Sequence, residues 1–212
     1  MKKITIILLL CLAAGSNIFS QGNYKTADIF KATSVTWFGI DFSLIRMIGP
    51  EGFTDPVAIK NQQFDAINNL ILNEPDKYDL KKFFFKQQVP VDMSVVNKRN
   101  ELPDEKEFVL PLGAQYTVDE NAVKNAVKSY NPDTKEGIGL VFIMEMFNKP
   151  AEVATMWVTF FDIAAKEVLL TAKMSGEAKG FGFRNYWTGA VNNVLKEIGK
   201  KKYDEWKKQY GK

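Results

Sequence analysis

The pattern of apolar and polar positions predicts a strand followed by a helix in the first third of the chain. Residues 34–43 form a β-branched and aromatic run of the kind found in strands. Asp55 and Pro56 then supply an N-cap and a first-turn proline, and an apolar helical stripe follows until Glu74 and Pro75 end it. The residues of that stripe are Val57, Phe64, Ile67 and Ile71.

The middle of the chain predicts a second strand and a second helix. A short helical turn over 76–85 precedes residues 89–96, whose apolar residues alternate with polar neighbours as in a strand. Thr117 and Glu120 then match a capping box, which predicts a helix that ends at Asn131. The apolar face of that helix consists of Val123, Ala126, Val127 and Tyr130.

The last third predicts an antiparallel meander and a long helix. Three apolar segments, 138–147, 153–163 and 167–175, are separated by connections short enough for hairpins. A final helix begins near Arg184 and continues towards the C-terminus. Its apolar stripe consists of Trp187, Val191, Val194 and Ile198. The aromatic residues that we expect in the core are Trp157, Phe160 and Trp187.

The order of these elements predicts an α+β fold. We expect a mixed sheet of about five strands with a C-terminal antiparallel meander, covered by about three to four helices including the long last one. Residues 141–144 are continuously apolar, so this strand should be buried on both faces. Residues 21–212 contain no linker-like stretch and should form one domain. Residues 200–212 either project from that domain or pack on it.

This arrangement resembles a small periplasmic domain of bacteria. The features that support the resemblance are a strand over 139–146 that enters a hairpin, an acidic turn over 162–168 and a closing helix. They are similar to the N-terminal domain of TolB-type proteins, to curli-assembly (CsgG-like) proteins and to penicillin-binding-protein activator lipoproteins. The segment 180–185 departs from those families. The resemblance implies a binding or assembly module of the cell envelope without enzymatic activity, and an analogy of fold alone does not establish a function.

The first twenty residues read as a secretory signal. Lys2 and Lys3 precede an apolar run over 4–14 that is too short to span a bilayer, and cleavage is expected after Ser20. The protein would then be periplasmic or extracellular. Removing Lys2 and Lys3 lowers the formal net charge of +3 by two. The basic balance that would support nucleic-acid binding therefore disappears.

Cys11 is the one cysteine of the chain. Lipid anchoring through Cys11 is not favoured, because bulky Leu10 precedes it where lipidation sites carry a small residue. If Cys11 leaves with the signal, disulfides and cysteine chemistry leave with it. The sequence also has no histidine, so histidine-dependent catalytic triads and imidazole metal ligands are excluded. We therefore expect no enzymatic activity, no metal and no cofactor.

Residues 176–187 are the most distinctive segment in composition. Glycines interleave with four aromatic residues and with Arg184. One interpretation is a ligand-binding lip at a helix N-terminus, where backbone amides favour an anionic group. The other is a connection whose aromatic residues close the end of the sheet, and it is favoured because aromatic residues mostly lie in cores. The candidate binding residues here are Phe181, Phe183, Arg184 and Trp187.

The end of the chain carries a second aromatic stripe. At about 100° per residue, Tyr203, Trp206 and Tyr210 point away from the stripe that begins at Trp187, and lysines surround them. Basic residues beside aromatic ones suit a membrane surface or an acidic partner. The alternative is that this tail packs on its own domain with its lysines solvated.

Two acidic features of the sequence are candidates for further sites. Asp41 interrupts an apolar strand, and we expect it to face outward, to pair with Arg46 or Arg184, or to have a functional role. The acidic segment 101–107 lacks the ligand spacing of a calcium loop and reads as a solvated loop.

Two hypotheses of function follow. The favoured one is a non-catalytic secreted or periplasmic module that binds a protein or envelope-surface partner, with peripheral membrane contact as one form. The alternative is a small-ligand-binding protein that uses residues 176–187. A cavity of about 300 Å³ or more beneath that segment would favour the ligand-binding protein, and a flat apolar patch would favour the partner module.

Overall fold

A computed structural model describes Gly22 and residues 24–212. The predicted signal segment and Cys11 lie outside the described residues.

A mixed six-stranded sheet forms the centre of the fold. The strands are β1 (Thr36–Asp41), β2 (Arg46–Ile48), β3 (Val109–Leu110), β4 (Ile138–Asn148), β5 (Val153–Asp162) and β6 (Glu167–Glu177). Both β1 and β2 run parallel to β4 and lie one after the other along its edge, and β3 pairs with β2. The antiparallel meander β4-β5-β6 has the predicted boundaries within two residues. The sheet has more strands than predicted because β2 and β3 are too short to show an alternating pattern.

Helices cover both faces of the sheet, which confirms the predicted α+β class. They are α1 (Asp28–Lys31), α2 (Pro56–Ala58), α3 (Phe64–Asn73), α4 (Leu80–Phe83), α5 (Ser94–Arg99), α6 (Glu120–Lys128), α7 (Phe183–Glu197) and α8 (Tyr203–Tyr210). A π-helical segment, Ile59–Gln63, joins α2 to α3, and another, Ile198–Lys202, joins α7 to α8. Among the described helices, none is both long and apolar enough to cross a bilayer.

Strand β4 is buried on both faces, as its continuous apolar run predicts. Leu140 and Phe142 face the larger core, which α3 and α7 cover. Val141 and Ile143 face a smaller core, which α5 and α6 cover. The aromatic residues expected in the core are buried there: Trp157 is 7% exposed, Phe160 is 0% and Trp187 is 2%.

The predicted second strand over 89–96 is wrong. Val91 forms only an isolated bridge with Trp37, and the chain turns into α5 at Ser94. Asp92 is the physical cause, because one of its carboxylate oxygens accepts hydrogen bonds from the backbone N–H and the hydroxyl of Ser94. This local bonding competes with a strand.

The helix predicted by the capping box is present with a different cap. Asp119 is the N-cap of α6 and accepts a hydrogen bond from the backbone N–H of Ala122 at 2.8 Å. Thr117 instead accepts a hydrogen bond from the Lys173 ammonium group. In the earlier helix, Asp55 caps α2 as predicted, but Val57 is 50% exposed and lies off the buried stripe.

The C-terminal tail packs on its own domain. Tyr203 is 3% exposed and Trp206 is 8%, whereas Tyr210 is 39% exposed. The second aromatic stripe does not point away from the core, because in the π-helical segment Ile198–Lys202 the N–H of Tyr203 bonds to the carbonyl of Ile198 five residues earlier. The longer turn shifts the phase of the helix, so the second aromatic stripe also reaches the core.

Candidate functional site

Four loops meet at one end of the sheet, which we call the loop end: residues 49–53, 111–115, 148–152 and 178–182. They follow the carboxyl ends of β2, β3, β4 and β6. Backbone hydrogen bonds connect them, because the N–H of Ala178 bonds to the carbonyl of Glu152 at 2.6 Å and the N–H of Lys149 bonds to that of Ile48 at 3.0 Å. Gly49, at a φ of 96°, lies where an added Cβ would be 2.8 Å from Pro150.

An aromatic cluster closes the sheet beneath these loops. The Trp187 ring stacks on Phe147 with ring centroids 4.2 Å apart, and Phe53 stacks on the Trp187 ring at 5.7 Å. Phe183 meets Phe147 edge-on, and Tyr186 meets Trp187 in the same way at 5.0 Å. The favoured interpretation of residues 176–187, in which aromatic residues close the end of the sheet, therefore describes Phe183 and Trp187.

The same segment also borders a cleft, which we call the lip cleft. Its volume is about 420 Å³ and it opens to solvent. The lining residues are Gly52, Lys149, Gly180, Gly182, Phe183, Tyr186 and Trp187. The Lys149 ammonium lies 3.9 Å from the centre of the Tyr186 ring, a cation–π contact, and the Tyr186 hydroxyl donates to Glu152 at 2.9 Å. The cleft therefore combines an aromatic floor with a cation at its side.

The glycines of the segment have two different roles. An added Cβ at Gly176 would lie 2.1 Å from the carbonyl oxygen of Ala190, so this glycine lets β6 pack closely against α7. Gly180 is packed in the same way against the backbone of Asn185. Gly182 differs, because it has a φ of 77° and open space around it.

Gly182 is also the N-cap of α7 and has no side chain to accept from the first amides of the helix. Such amides, together with the helix dipole, favour an anionic group. Arg184 is in the first turn of α7 and its side chain is exposed. The end of the lip cleft nearest α7 therefore has N–H donors and a positive charge, and the first turn of α7 has no acidic residue.

The other predicted site residues are dispersed. Phe181 is 94% exposed at the tip of the loop. Tyr203 and Trp206 lie in the large core. Tyr210 is at the surface on α8, which follows the π-helical segment Ile198–Lys202, and it is not part of the aromatic cluster of the lip cleft.

Asp41 is fully buried, and neither Arg46 nor Arg184 is its partner. The guanidinium of Arg99 donates to its Oδ2 at 2.7 Å, and the hydroxyl of Tyr130 donates to the same oxygen at 2.8 Å. Burial, and next the Asp41 carboxylate, raise the pKa of Tyr130 well above its usual range, so Tyr130 remains a donor. The network is satisfied and joins β1 to α5 and α6. It is a structural site.

The acidic segment 101–107 pairs with the first half of the chain. Glu107 accepts from Arg46 at 3.0 Å, and Glu105 lies 3.4 Å from the ammonium of Lys60. Over Gly22 and residues 24–212, no group of three or more histidine, cysteine, aspartate or glutamate residues is arranged to hold a metal ion.

The sequence analysis missed a buried lysine. Lys86 is 6% exposed, and its ammonium donates to the carbonyls of Ile29 and Ala32 and to the hydroxyl of Tyr203. Burial, and next the charge of Lys207, lower the pKa of Lys86 to about 8. Periodicity gave no signal for this residue, since a lone lysine after a helical turn reads as solvated.

Two further parts of the site were missed as well. Gly52 and Lys149 line the lip cleft but are distant from its aromatic segment in the sequence. Gly52 lies more than a hundred residues before that segment, and Lys149 lies about thirty residues before it. Phe85 is 57% exposed beside the C-terminal helix. Only the two glycines of the turn at 49–52 could have indicated a loop of special conformation.

Comparison with known proteins gives no relative: no protein-family model, no curated protein and no solved structure matches this chain.

Proposed function

We propose that this protein is an exported, non-catalytic binding protein whose lip cleft takes a small ligand with an anionic group and an apolar part. The observation that carries the proposal is the cleft itself, whose volume of about 420 Å³ lies within the range of about 300–1,000 Å³ found for ligand sites. The ligand-binding hypothesis therefore takes precedence over a flat partner surface at this segment.

The lining residues define the chemistry of the ligand. Phe183 and Tyr186 are partly exposed and offer apolar surface for an aromatic or aliphatic part, and buried Trp187 lies beneath them. Lys149 lies at the side of the cleft and the uncapped amides of α7 lie at its end, so both favour a carboxylate or a phosphate. An anion that displaced Lys149 from the Tyr186 ring would exchange a cation–π contact for an ion pair.

The absence of enzymatic activity is part of the proposal. The chain has no histidine, and Glu152, the carboxylate beside the cleft, accepts a hydrogen bond from Tyr186. The lining residues of the lip cleft include no serine, threonine, cysteine, aspartate or glutamate. Binding without chemistry is the activity that these groups support.

Calorimetric titration with 1-naphthyl phosphate tests the proposal, because this probe joins an aromatic ring to a dianion. Lys149→Ala should weaken binding about tenfold, the effect of losing one charge-assisted hydrogen bond. Lys128→Ala removes an exposed lysine of α6 and should leave affinity unchanged. Equal affinity in both variants, or no heat of binding in the unmodified protein, would contradict the assignment.

Export is tested separately by N-terminal sequencing of the protein recovered outside the cytoplasm. We expect a new N-terminus after Ser20. An intact Met1 in a cytoplasmic product would contradict export, and a lipid on Cys11 would contradict plain secretion.

A second candidate function is a module that binds an envelope protein through the same loop end. Phe181 and Leu112 favour it, since they are 94% and 72% exposed on two of the four loops. A pull-down from the native cell envelope with unmodified protein and with Phe181→Ser tests this function. A partner retained by the first and lost by the second would support it, and identical recoveries would contradict it.

A further inference from the structure

A second cleft lies at the opposite end of α7 from the lip cleft. It has a volume of about 400 Å³ and lies between α4 and the π-helical segment Ile198–Lys202. We call it the basic-aromatic cleft, and its lining residues are Lys82, Phe83, Phe85, Lys196, Gly199 and Lys200. Gly199 permits the close packing here, because an added Cβ would lie 2.8 Å from the Phe83 ring.

Phe85 is held outward in an unfavourable backbone conformation. Its φ is 52°, in the left-handed region that favours glycine. The N–H of Lys86 bonds to the carbonyl of Lys81 and the N–H of Phe85 bonds to that of Lys82, which is the Schellman pattern with phenylalanine in the usual glycine position. Buried Lys86, the next residue, fixes the turn through its bonds to Ile29, Ala32 and Tyr203.

The result is an exposed aromatic ring beside unpaired positive charge. Phe85 is 57% exposed and contacts Tyr203 on its other side, with ring centroids 5.1 Å apart. Within the part of the chain that the structure describes, Lys82, Lys196 and Lys200 form no ion pair. A single solvated lysine needs no partner. Three lysines around the apolar surface of Phe83 and Phe85, however, form a site that suits an anionic surface.

We propose that the basic-aromatic cleft docks on an anionic phospholipid membrane, with Phe85 entering the interface and the three lysines facing the lipid phosphates. The combination of an exposed aromatic ring with basic side chains favours a membrane over an acidic peptide. Phe85 is 57% exposed and can enter the apolar part of an interface, while the lysines keep their ammonium groups at the phosphates on flexible apolar stems. The lining residues include three lysines and no arginine.

The basic and aromatic surface lies near the C-terminal helix, as the sequence predicts, but different residues form it. The sequence assigned it to Tyr203, Trp206 and Tyr210, but the first two are buried. Phe85 takes their place at the surface by packing against Tyr203. The proposal does not depend on the lip cleft, and the two sites can fail separately.

Co-sedimentation of the purified protein with vesicles tests the proposal. We expect binding to vesicles of equal parts phosphatidylglycerol and phosphatidylcholine, little binding to phosphatidylcholine alone, and loss of binding as salt is raised. Soluble poly-L-glutamate should not displace the protein from the anionic vesicles at matched charge. Displacement by poly-L-glutamate, or equal binding to both kinds of vesicle, would overturn the proposal.

Two variants separate docking from folding. Phe85→Gly should lower vesicle partitioning roughly fivefold while the protein stays folded, because glycine suits the left-handed turn. Its control is Leu102→Ser, which removes an apolar residue that is 71% exposed in the segment 101–107 and should leave partitioning unchanged. Undiminished partitioning of a folded Phe85→Gly protein would overturn the role of this ring.

The charge is tested by replacing Lys82, Lys196 and Lys200 together with alanine. One lysine near an anionic surface contributes roughly fivefold, so the triple variant should partition on the order of 100-fold less. The matched control replaces exposed Lys98, Lys106 and Lys128 with alanine and changes the net charge equally. Equal losses in the two triple variants would show a net-charge effect and overturn the assigned surface.

Discussion

Asp41 and Arg99 form a buried ion pair that joins the first strand to the helical layer. The Nε of Arg99 lies 2.7 Å from Oδ2 of Asp41, and the Asp41 side chain is 0% exposed. The other two guanidinium nitrogens donate to Ser43 and Ser129, so one arginine connects β1 to the end of α6.

Removing this arginine should destabilise the protein strongly. Arg99→Leu leaves a buried carboxylate without its cation, and the loss of one partner of a buried pair typically costs about 3–5 kcal/mol. Urea denaturation measures the change in the free energy of unfolding. Arg184→Leu is the control, since Arg184 is exposed and should change stability by no more than about 0.5 kcal/mol. Similar effects of the two substitutions would contradict a structural role for the pair.

Two aromatic residues of one segment should differ sharply in their effect on stability. Trp187→Ala opens a cavity beside Phe147 and should cost about 3–5 kcal/mol, seen as a much lower thermal midpoint. Phe181→Ala, in which the side chain is already 94% exposed, should stay within about 0.5 kcal/mol. A small effect at Trp187 would place this ring at the surface and contradict its packing on the sheet.

Deleting the tail should unfold part of the core. Removing residues 200–212 takes away Tyr203 and Trp206, which are buried in the larger core, so the thermal midpoint should fall clearly. Removing residues 209–212 takes away only exposed or half-exposed residues and should leave the midpoint nearly unchanged. An unchanged midpoint after the longer deletion would show that the tail is a projecting surface.

Lys86 should make stability rise with pH on the alkaline side. Burial, followed by the charge of Lys207, lowers its pKa from 10.5 to about 8, so between pH 8 and 10.5 the unfolded chain binds the proton more tightly than the folded one. Stability therefore increases with pH in that window. Burial, and then Asp204, raise the pKa of Tyr203 from 10.0 to about 12, which reverses the trend above pH 10.

The measurement is urea denaturation from pH 8 to pH 10, where the lowered pKa of Lys86 makes stability rise. Lys86→Met should remove the rise, because methionine keeps the apolar stem and loses the titrating group. Lys128→Met, on exposed Lys128, is the control and should keep the rise. A rise that persists in Lys86→Met would assign it to another group.

Part of the candidate site could be read from composition alone. Glycines and aromatic residues alternate over residues 176–187, and the structure places Phe183, Tyr186 and Trp187 around a cleft. Gly52 and Lys149 complete that cleft from distant parts of the chain. No local pattern marks them, because they meet the segment only where the strands end.

The sequence by itself determined the meander β4-β5-β6, the start of α7 and the two-sided burial of β4. Each of these depends on local information, because a long apolar run or helical stripe bounded by turn residues indicates the type of its own element. Tertiary structure alone decided which arginine pairs with Asp41, because both partners of a buried charge must be brought together across 58 residues. It also decided the burial of Tyr203 and Trp206. The π-helical segment adds one residue to a helical turn, and packing rather than the local sequence selects it. The direction of the tail therefore cannot be derived from a fixed angle per residue.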